Sequence, residues 1–356
     1  MIFTELEQAD GTPGRRIAFA GVEVRPLDYA ALATAKLHAP LTIPLGWDNA
    51  RIVDTNIPDL DLDQLYSANA TLETPFTSHA VCLVRGGWLP SSLAATIDDS
   101  TMLLDRNLVP QLVGRMRRRA NGGVNQDFLD LLADQPVRLH PLLYAMEGNA
   151  RAIPTPDQLR AQLDEAVRKL QAAMPLARVV ADPNVVRGAL GLIEDAREGF
   201  IRKQDFLLRV APALAAPVAQ AKLQETWDKI LAAADACGVA RTSLVVLAAL
   251  STAAVPNGAS PAKALLKPKR GYSQADAYNA LADLRALELL LGLFALYPAA
   301  RIQLCTADRP LALFWAGLCA SGFERRGQGF AFDLSPVEAL LPGPTLDAWR
   351  AAAQPP

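Results

Sequence analysis

The stretch STMLLDRNLVPQLVGRMRRR (Ser100–Arg119) decides the fold class. Thr101–Leu104 is a short uninterrupted apolar run, the pattern of a strand buried on both faces. Asp105 closes the run. Beyond Asn107 the apolar residues take helical spacing and the segment ends on arginines. Strand, acid and helix in that order form the unit of a parallel α/β sheet. The order recurs far along the chain in ARIQLCTADRPLALFWAGLCAS (Ala300–Ser321), where the strand ends at Thr306, the acid is Asp308 and Pro310 falls in the first helical turn.

Between these units lies a helical block. PTPDQLRAQLDEAVRKLQAAM opens it with Thr155 as N-cap, Pro156 at N1 and Gln158 at N3, a capping box. Helical spacing then holds over 157–255, interrupted only by the β-branched ARVVADP. No repeat of 20–50 residues is visible, which disfavours a solenoid. A Pro/Gly/Lys-rich connector, VPNGASPAKALLKPKRGYS, leads to the helix QADAYNALADLRALELLLGLFALYP, capped by Ser273. NQDFLDLLAD predicts a helix with Asn125 as cap, WLPSSLAATI a short helix or loop, and LHPLLYAMEGN a short apolar helix closed by Gly148. Residues 1–75, with RIAFAGVEV, APLTIPLGW and PDLDLDQLY, predict a small β-containing region of short strands and turns. Residues 336–356 read as a short helix and tail.

The 356 residues are 51% hydrophobic and 20% charged, enough for a substantial core. A net charge of -2 gives no global basic field toward nucleic acid or membrane, so any polyanion site must be a local patch. Cys82, Cys237, Cys305 and Cys319 form no CxxC pair, which argues for reduced thiols and against a zinc site. The polar, acidic start does not read as a secretory leader. The most apolar run, Ser243–Val255, stops at Pro256, short of the roughly 20 residues that cross a bilayer. A cytoplasmic protein without membrane contact is expected.

Four acids border apolar runs. Asp105 and Asp308 stand at the ends of predicted strands, where open α/β sheets place their ligands. Each also fits a helix cap, and Thr306 could share that role. Glu147 lies in the last turn of its helix, facing the negative end of the dipole, so a positive partner is required: Arg151 or a bound cation. Asp283 lies on the stripe 276, 279, 283, 287, 290 and 294, polar at the start and apolar beyond, so it is expected to point inward. Arg285, two residues on, diverges from it. Asp276 reads as a surface residue at N3.

Other chemistries lack their parts. The histidines are His38, His79 and His140, with no HExxH and no neighbouring serine or cysteine motif, and neither GxxxxGK[ST] nor GxGxxG occurs. An all-carboxylate set suits Mg²⁺ or Mn²⁺, ions that orient and acidify a water for attack on a phosphoester. Two basic runs could meet phosphates: Arg115, Arg117, Arg118 and Arg119, and Lys263, Lys267, Lys269 and Arg270. A solvated loop is the alternative for each.

With these residues in view the chain resembles the PIN-like nuclease family. LLDRN is similar to the family's first strand ending in Asp, and YAMEGN to the segment supplying its Glu. YNALADLRALELL resembles the helix carrying its third acid, and IQLCTADRPLALFW its closing strand. The resemblance spans about 79–149 and 271–318. It implies a PIN-like α/β domain over 76–335, a parallel sheet flanked by helices, with a helical insertion at about 156–265. Asp105, Glu147, Asp283 and Asp308 would bind Mg²⁺ or Mn²⁺, with Asn107 and Thr306 as supporting polar groups. The chain departs from the family in its length and in the long interval from Glu147 to Asp283, which makes Asp276 the substitute acid. The implied activity is metal-dependent cleavage of nucleic acid, RNA before DNA, with the basic runs guiding substrate. The competing reading is a non-catalytic protein that keeps the fold and binds nucleic acid, or a protein partner through its helical block.

Overall fold

The computed structural model describes residues 2–6, 14–20, 23–62, 64–91, 93, 99–120, 126–133, 135–148, 151–181, 183–255, 259–327 and 329–353. Asn125 and, in WLPSSLAATI, Ser92 and residues 94–97 lie outside them.

The N-terminal region is an antiparallel sheet of β1 (Ile2–Leu6), β2 (Arg15–Ala20), β3 (Glu23–Val24), β4 (Leu41–Thr55) and β5 (Leu65–Thr74), in the order β1-β2-β4-β3 with β5 also on β4. β4 is far longer than the short strands expected. Its inward residues alternate through Leu41, Ile43, Leu45 and Trp47, then change parity to Ala50 and Ile52. The register shifts between Trp47 and Ala50, where Asn49 takes φ 57°. This bulge returns the second half of β4 to the same core, where a regular strand would have turned it to solvent.

The central sheet comprises β6 (Val81–Val84), β7 (Gly87–Pro90), β8 (Thr101–Leu104), β9 (Arg138–His140), β10 (Arg178–Val179) and β11 (Ile302–Thr306), in the order β10-β9-β8-β11-β6-β7. The first four are mutually parallel, and β6 and β7 close the sheet as an antiparallel hairpin. Both faces are covered. Cys82, Met102, Leu104, Leu139 and Cys305 meet the helices Leu108–Ala120 and Pro156–Ala173. Val81, Leu83, Leu103 and Leu304 belong to a larger core with the helices Leu244–Ala254, Gln274–Leu296 and Arg309–Leu318. The molecule is therefore mixed α/β, with a mostly parallel sheet between helical layers.

The capping boxes at Thr155 and Ser273 form as expected, and Gly148 follows its helix at φ 72°. The block from Pro156 consists of the helices Pro156–Ala173, Pro183–Val210, Leu223–Ala236 and Leu244–Ala254. It is built into the sheet: its first helix covers one face, and β10 extends the edge. NQDFLDLLAD is a 3-10 helix over Phe128–Leu132, and its cap is Asp127, whose carboxylate takes the Leu129 amide at 2.9 Å. The connector contains a further helix, Pro261–Leu266. A hairpin of β12 (Ser321–Arg326) and β13 (Gly329–Asp333) packs on the helix Gln274–Leu296. That helix is buried nearly all round rather than along one stripe, and Asn279 on the expected stripe is exposed. The Arg309 guanidinium donates to the carbonyls of Leu32, Ala33 and Ala35, at 2.9 Å each, tying the N-terminal region to the sheet. Among the described residues, no helix is long and apolar enough to cross a membrane.

Candidate active site

β8 and β11 run parallel with Leu104 opposite Cys305, so Asp105 and Asp308 leave neighbouring strands at one edge. From β8 the chain moves to β9 and β10 on one side, whereas β11 lies on the other. Strand order reverses there, and such a point opens a crevice beyond the carboxyl ends. The edge is stitched together. The Asp105 amide donates to the Cys305 carbonyl at 3.0 Å. The buried Thr306 hydroxyl donates to Asp105 Oδ2 at 2.8 Å and accepts from the Asp308 amide at 3.0 Å. Asp308 Oδ1 caps its helix through the Leu311 amide at 2.9 Å. The Asp105 side chain accepts instead from Thr306 and from the Arg106 amide.

Thr306 thus ties the Asp105 carboxylate to the Asp308 backbone. Thr306→Val keeps the shape and removes the hydroxyl. A loss of about 1–3 kcal/mol, the penalty for stranding buried polar partners, is expected in urea unfolding. Unchanged stability would mean that the hydroxyl does not fix this edge.

The third parallel strand, β9, brings the helix Leu142–Glu147 to the same edge, since His140 pairs with Leu103. The carbonyls at the helix end are held by the helix Gln274–Leu296. Tyr278 donates its hydroxyl to the Glu147 carbonyl, and Arg285 Nη2 donates to the Met146 carbonyl at 2.7 Å. The Glu147 carboxylate meets Arg106 Nε at 3.9 Å. The positive partner required by a glutamate at a helix C-terminus is therefore Arg106, helped by Arg285, rather than Arg151.

Asp283 completes the group. Its carboxyl is held well above the usual range by burial and by the charges of Asp308, Asp105 and Glu147, with Lys267 opposing. Burial raises Asp105 too; Thr306 and the Arg106 amide offset this, while Asp308 adds to it. Glu147 is pushed up to about 7 by burial and by Asp105, against Arg106 and Arg285. The four carboxylates share one electrostatic neighbourhood. Among the described residues, however, no three Asp, Glu, His or Cys side chains already stand in metal-holding geometry. The donors fit a hard divalent ion in chemistry and charge: every candidate ligand atom is a carboxylate oxygen, and a cation would offset the repulsion among them.

The remaining candidates separate. Asp276 is spent in the Ser273 capping box and on Lys269 at 2.8 Å, which draw its carboxyl down to about 2. It sits seven residues, about 10 Å of helix, before Asp283, and its charge does not figure among those acting on the cluster. Asn107 is exposed on the turn after Asp105. Arg115 is not free for substrate: its guanidinium is buried against Asp130, with Nε and Nη2 each at 2.7 Å from a carboxylate oxygen. Arg117, Arg118 and Arg119 are exposed in the last turn of a helix that starts at the acid edge, about 14–17 Å along it at 1.5 Å per residue. Lys267, in left-handed conformation at φ 47°, does act on Asp283. Lys269 is held by Asp276, and Arg270 is exposed.

Arg106, Tyr278 and Arg285 were missed in the sequence. Only Arg106 left a signal, standing beside Asp105 while Glu147 demanded a cation. No family model, curated protein or solved structure matches the chain.

Proposed function

We propose that the chain is a divalent-metal-dependent nuclease of PIN-like type that hydrolyses phosphodiesters, RNA in preference to DNA. The observation that carries the proposal is the convergence of acids at one edge. Three neighbouring parallel strands deliver Asp105, Asp308 and Glu147 to a point of strand-order reversal, and a buried helix adds Asp283. The preference for RNA rests on the family resemblance alone.

Asp105, Asp308, Glu147 and Asp283 would hold Mg²⁺ or Mn²⁺. The bound ion would supply an acidified, oriented water and a counter-charge for the phosphate. Thr306 ties the Asp105 carboxylate to the Asp308 backbone. Arg106 and Lys267, whose charges act on Glu147 and Asp283, would be the cations that meet the phosphate. Hydrolysis adds the water oxygen to phosphorus and expels the ester oxygen, which departs with the water's proton.

One observation favours a second reading, a nucleic-acid binder without turnover: the carboxylates are not gathered into a ligand set. Single-turnover assays separate the two. A labelled single-stranded RNA and a DNA of the same sequence are incubated with excess protein in Mg²⁺, Mn²⁺ or EDTA. RNA cleavage in either metal and none in EDTA is expected. RNA binding with no cleavage in Mn²⁺ would overturn the nuclease reading.

A further inference from the structure

Two of the three histidines stand together, away from the carboxylates of the candidate site. His79 lies two residues before β6, and its imidazole is anchored by a carboxylate. Its Nδ1 is 2.6 Å from Asp127 Oδ2, and Asp127 is fully buried. The same oxygen accepts from the Thr77 hydroxyl at 2.6 Å and from the His79 amide at 3.0 Å, while Oδ1 takes the Leu129 amide. Burial opposes a charge there, but Thr77, His79 and the Leu129 amide outweigh it and hold the carboxyl below its usual range. An ionised carboxylate only accepts hydrogen bonds, so Nδ1 carries a proton and points it at Asp127.

With Nδ1 committed, Nε2 is the nitrogen left for a ligand. The His79 side chain is 43% exposed although its anchor is sealed, and its printed hydrogen bonds run through Nδ1 and the backbone amide. Metal-binding histidines are held in this way, one ring nitrogen fixed by a carboxylate and the other turned to the ion. A second imidazole is already beside it. His38 is exposed, and its ring centre lies 4.8 Å from that of His79, with the planes inclined at 65°. Imidazoles that share a tetrahedral ion, at about 2.0–2.1 Å from each nitrogen, have ring centres roughly 5 Å apart, close to the spacing found. Imidazole suits Cu²⁺, Ni²⁺ and Zn²⁺, whereas Mg²⁺ and Mn²⁺ favour carboxylate oxygen. Among the described residues no group of three His, Cys, Asp or Glu is arranged to hold a metal, so water would fill the other positions and the ion would be exchangeable. His38 and His79 are far apart in sequence, and no spacing motif announced the pair.

We propose that His38 and His79 form a binding site for a divalent transition-metal ion of the Cu²⁺, Ni²⁺ or Zn²⁺ class, with Asp127 orienting His79. The site is independent of the nuclease reading, since its donors are imidazoles and none of the four acids takes part. The test uses the full, untagged chain, with Cu²⁺ followed by electron paramagnetic resonance and Ni²⁺ by calorimetry. A bound Cu²⁺ coupled to two imidazole nitrogens is expected. His38→Gln, at an exposed position, should leave one coupled nitrogen and weaken Ni²⁺ by at least about tenfold, the lower end of what removing even an orienting partner costs. His79→Gln should do the same. Asp105→Asn should keep both nitrogens and an unchanged Ni²⁺ affinity. Two coupled nitrogens that persist in both histidine variants would overturn the proposal. So would Ni²⁺ binding that is lost in Asp105→Asn and kept in His38→Gln, which would put the ion among the carboxylates.

Discussion

Asp105→Asn is expected to lower metal-dependent cleavage by about 10³-fold while making the metal-free chain more stable. The two effects have one cause. Asp105 is 5% exposed and lies within the field of Asp308, Glu147 and Asp283. Asparagine has nearly the same shape, and its side-chain oxygen can still accept the Thr306 hydroxyl. What it removes is one buried negative charge, and with it part of the repulsion that holds up the carboxyls of Glu147 and Asp283. A gain in metal-free stability follows, because the neighbouring carboxylates lose one of the charges that raise them. Function moves the other way. Removing one partner from a buried ionic contact costs about 3–5 kcal/mol, which corresponds to a rate loss of about 10²–10⁴. Urea unfolding without metal and single-turnover cleavage with Mn²⁺ read the two arms separately. Full cleavage by Asp105→Asn would end the proposed role of the cluster. Lost stability would show that Asp105 is a structural carboxylate whose partners outweigh its repulsion.

What the chain discloses locally and what it withholds follow a physical line. The capping boxes at Thr155 and Ser273 were legible because a cap is decided by residues within one turn. The buried strands β8 and β11 were legible because a strand covered on both faces needs an unbroken apolar run. Their pairing was not, since Leu104 and Cys305 meet only through the register of a sheet closed by a long intervening block. β9 and β10 are too short to show a period, and their parallel neighbours define them. The reversal of order at β8 is likewise a property of the assembled sheet.

The basic runs fail for the same reason. Arg115 looks like its neighbours in GRMRRR, yet the helix turns it toward Asp130 while Arg117, Arg118 and Arg119 face solvent. Composition cannot distinguish a guanidinium consumed by a carboxylate from one offered to a phosphate. Glu147 is the contrary case. Its unfavourable place at a helix end was visible in the sequence, and that misfit correctly announced a positive neighbour. The neighbour proved to be Arg106, already inside the LLDRN motif.

Glu147 also sets the pH behaviour of the metal-free protein. Its carboxyl sits at about 7 against an ordinary value of 4.5. Below pH 4.5 the folded and unfolded chains both hold the proton, and the contribution to stability is fully present. As pH rises from 4.5 to 7 the unfolded chain has released its proton while the folded chain retains it, so stability falls. Above 7 the contribution is gone, a total of about 3.5 kcal/mol at about 1.4 kcal/mol per unit. Asp105 and Asp283 are raised as well and act in the same direction. Asp276 and Asp127 are lowered, so their stabilising contributions grow with pH, but at the acid end of the scale. A divalent ion needs the deprotonated carboxylates, so Mn²⁺ should rescue stability at pH 8 and do little at pH 5. An ion at a hundred times its Kd contributes about 2.7 kcal/mol, comparable to the loss it offsets. Urea unfolding at pH 5, 6, 7 and 8, with and without Mn²⁺, measures both effects. Glu147→Gln isolates them, because the difference between wild type and variant should fall across this window and vanish as a pH dependence if Glu147 titrates near its ordinary value. An Mn²⁺ effect of equal size at pH 5 and pH 8 would place the ion away from these carboxylates.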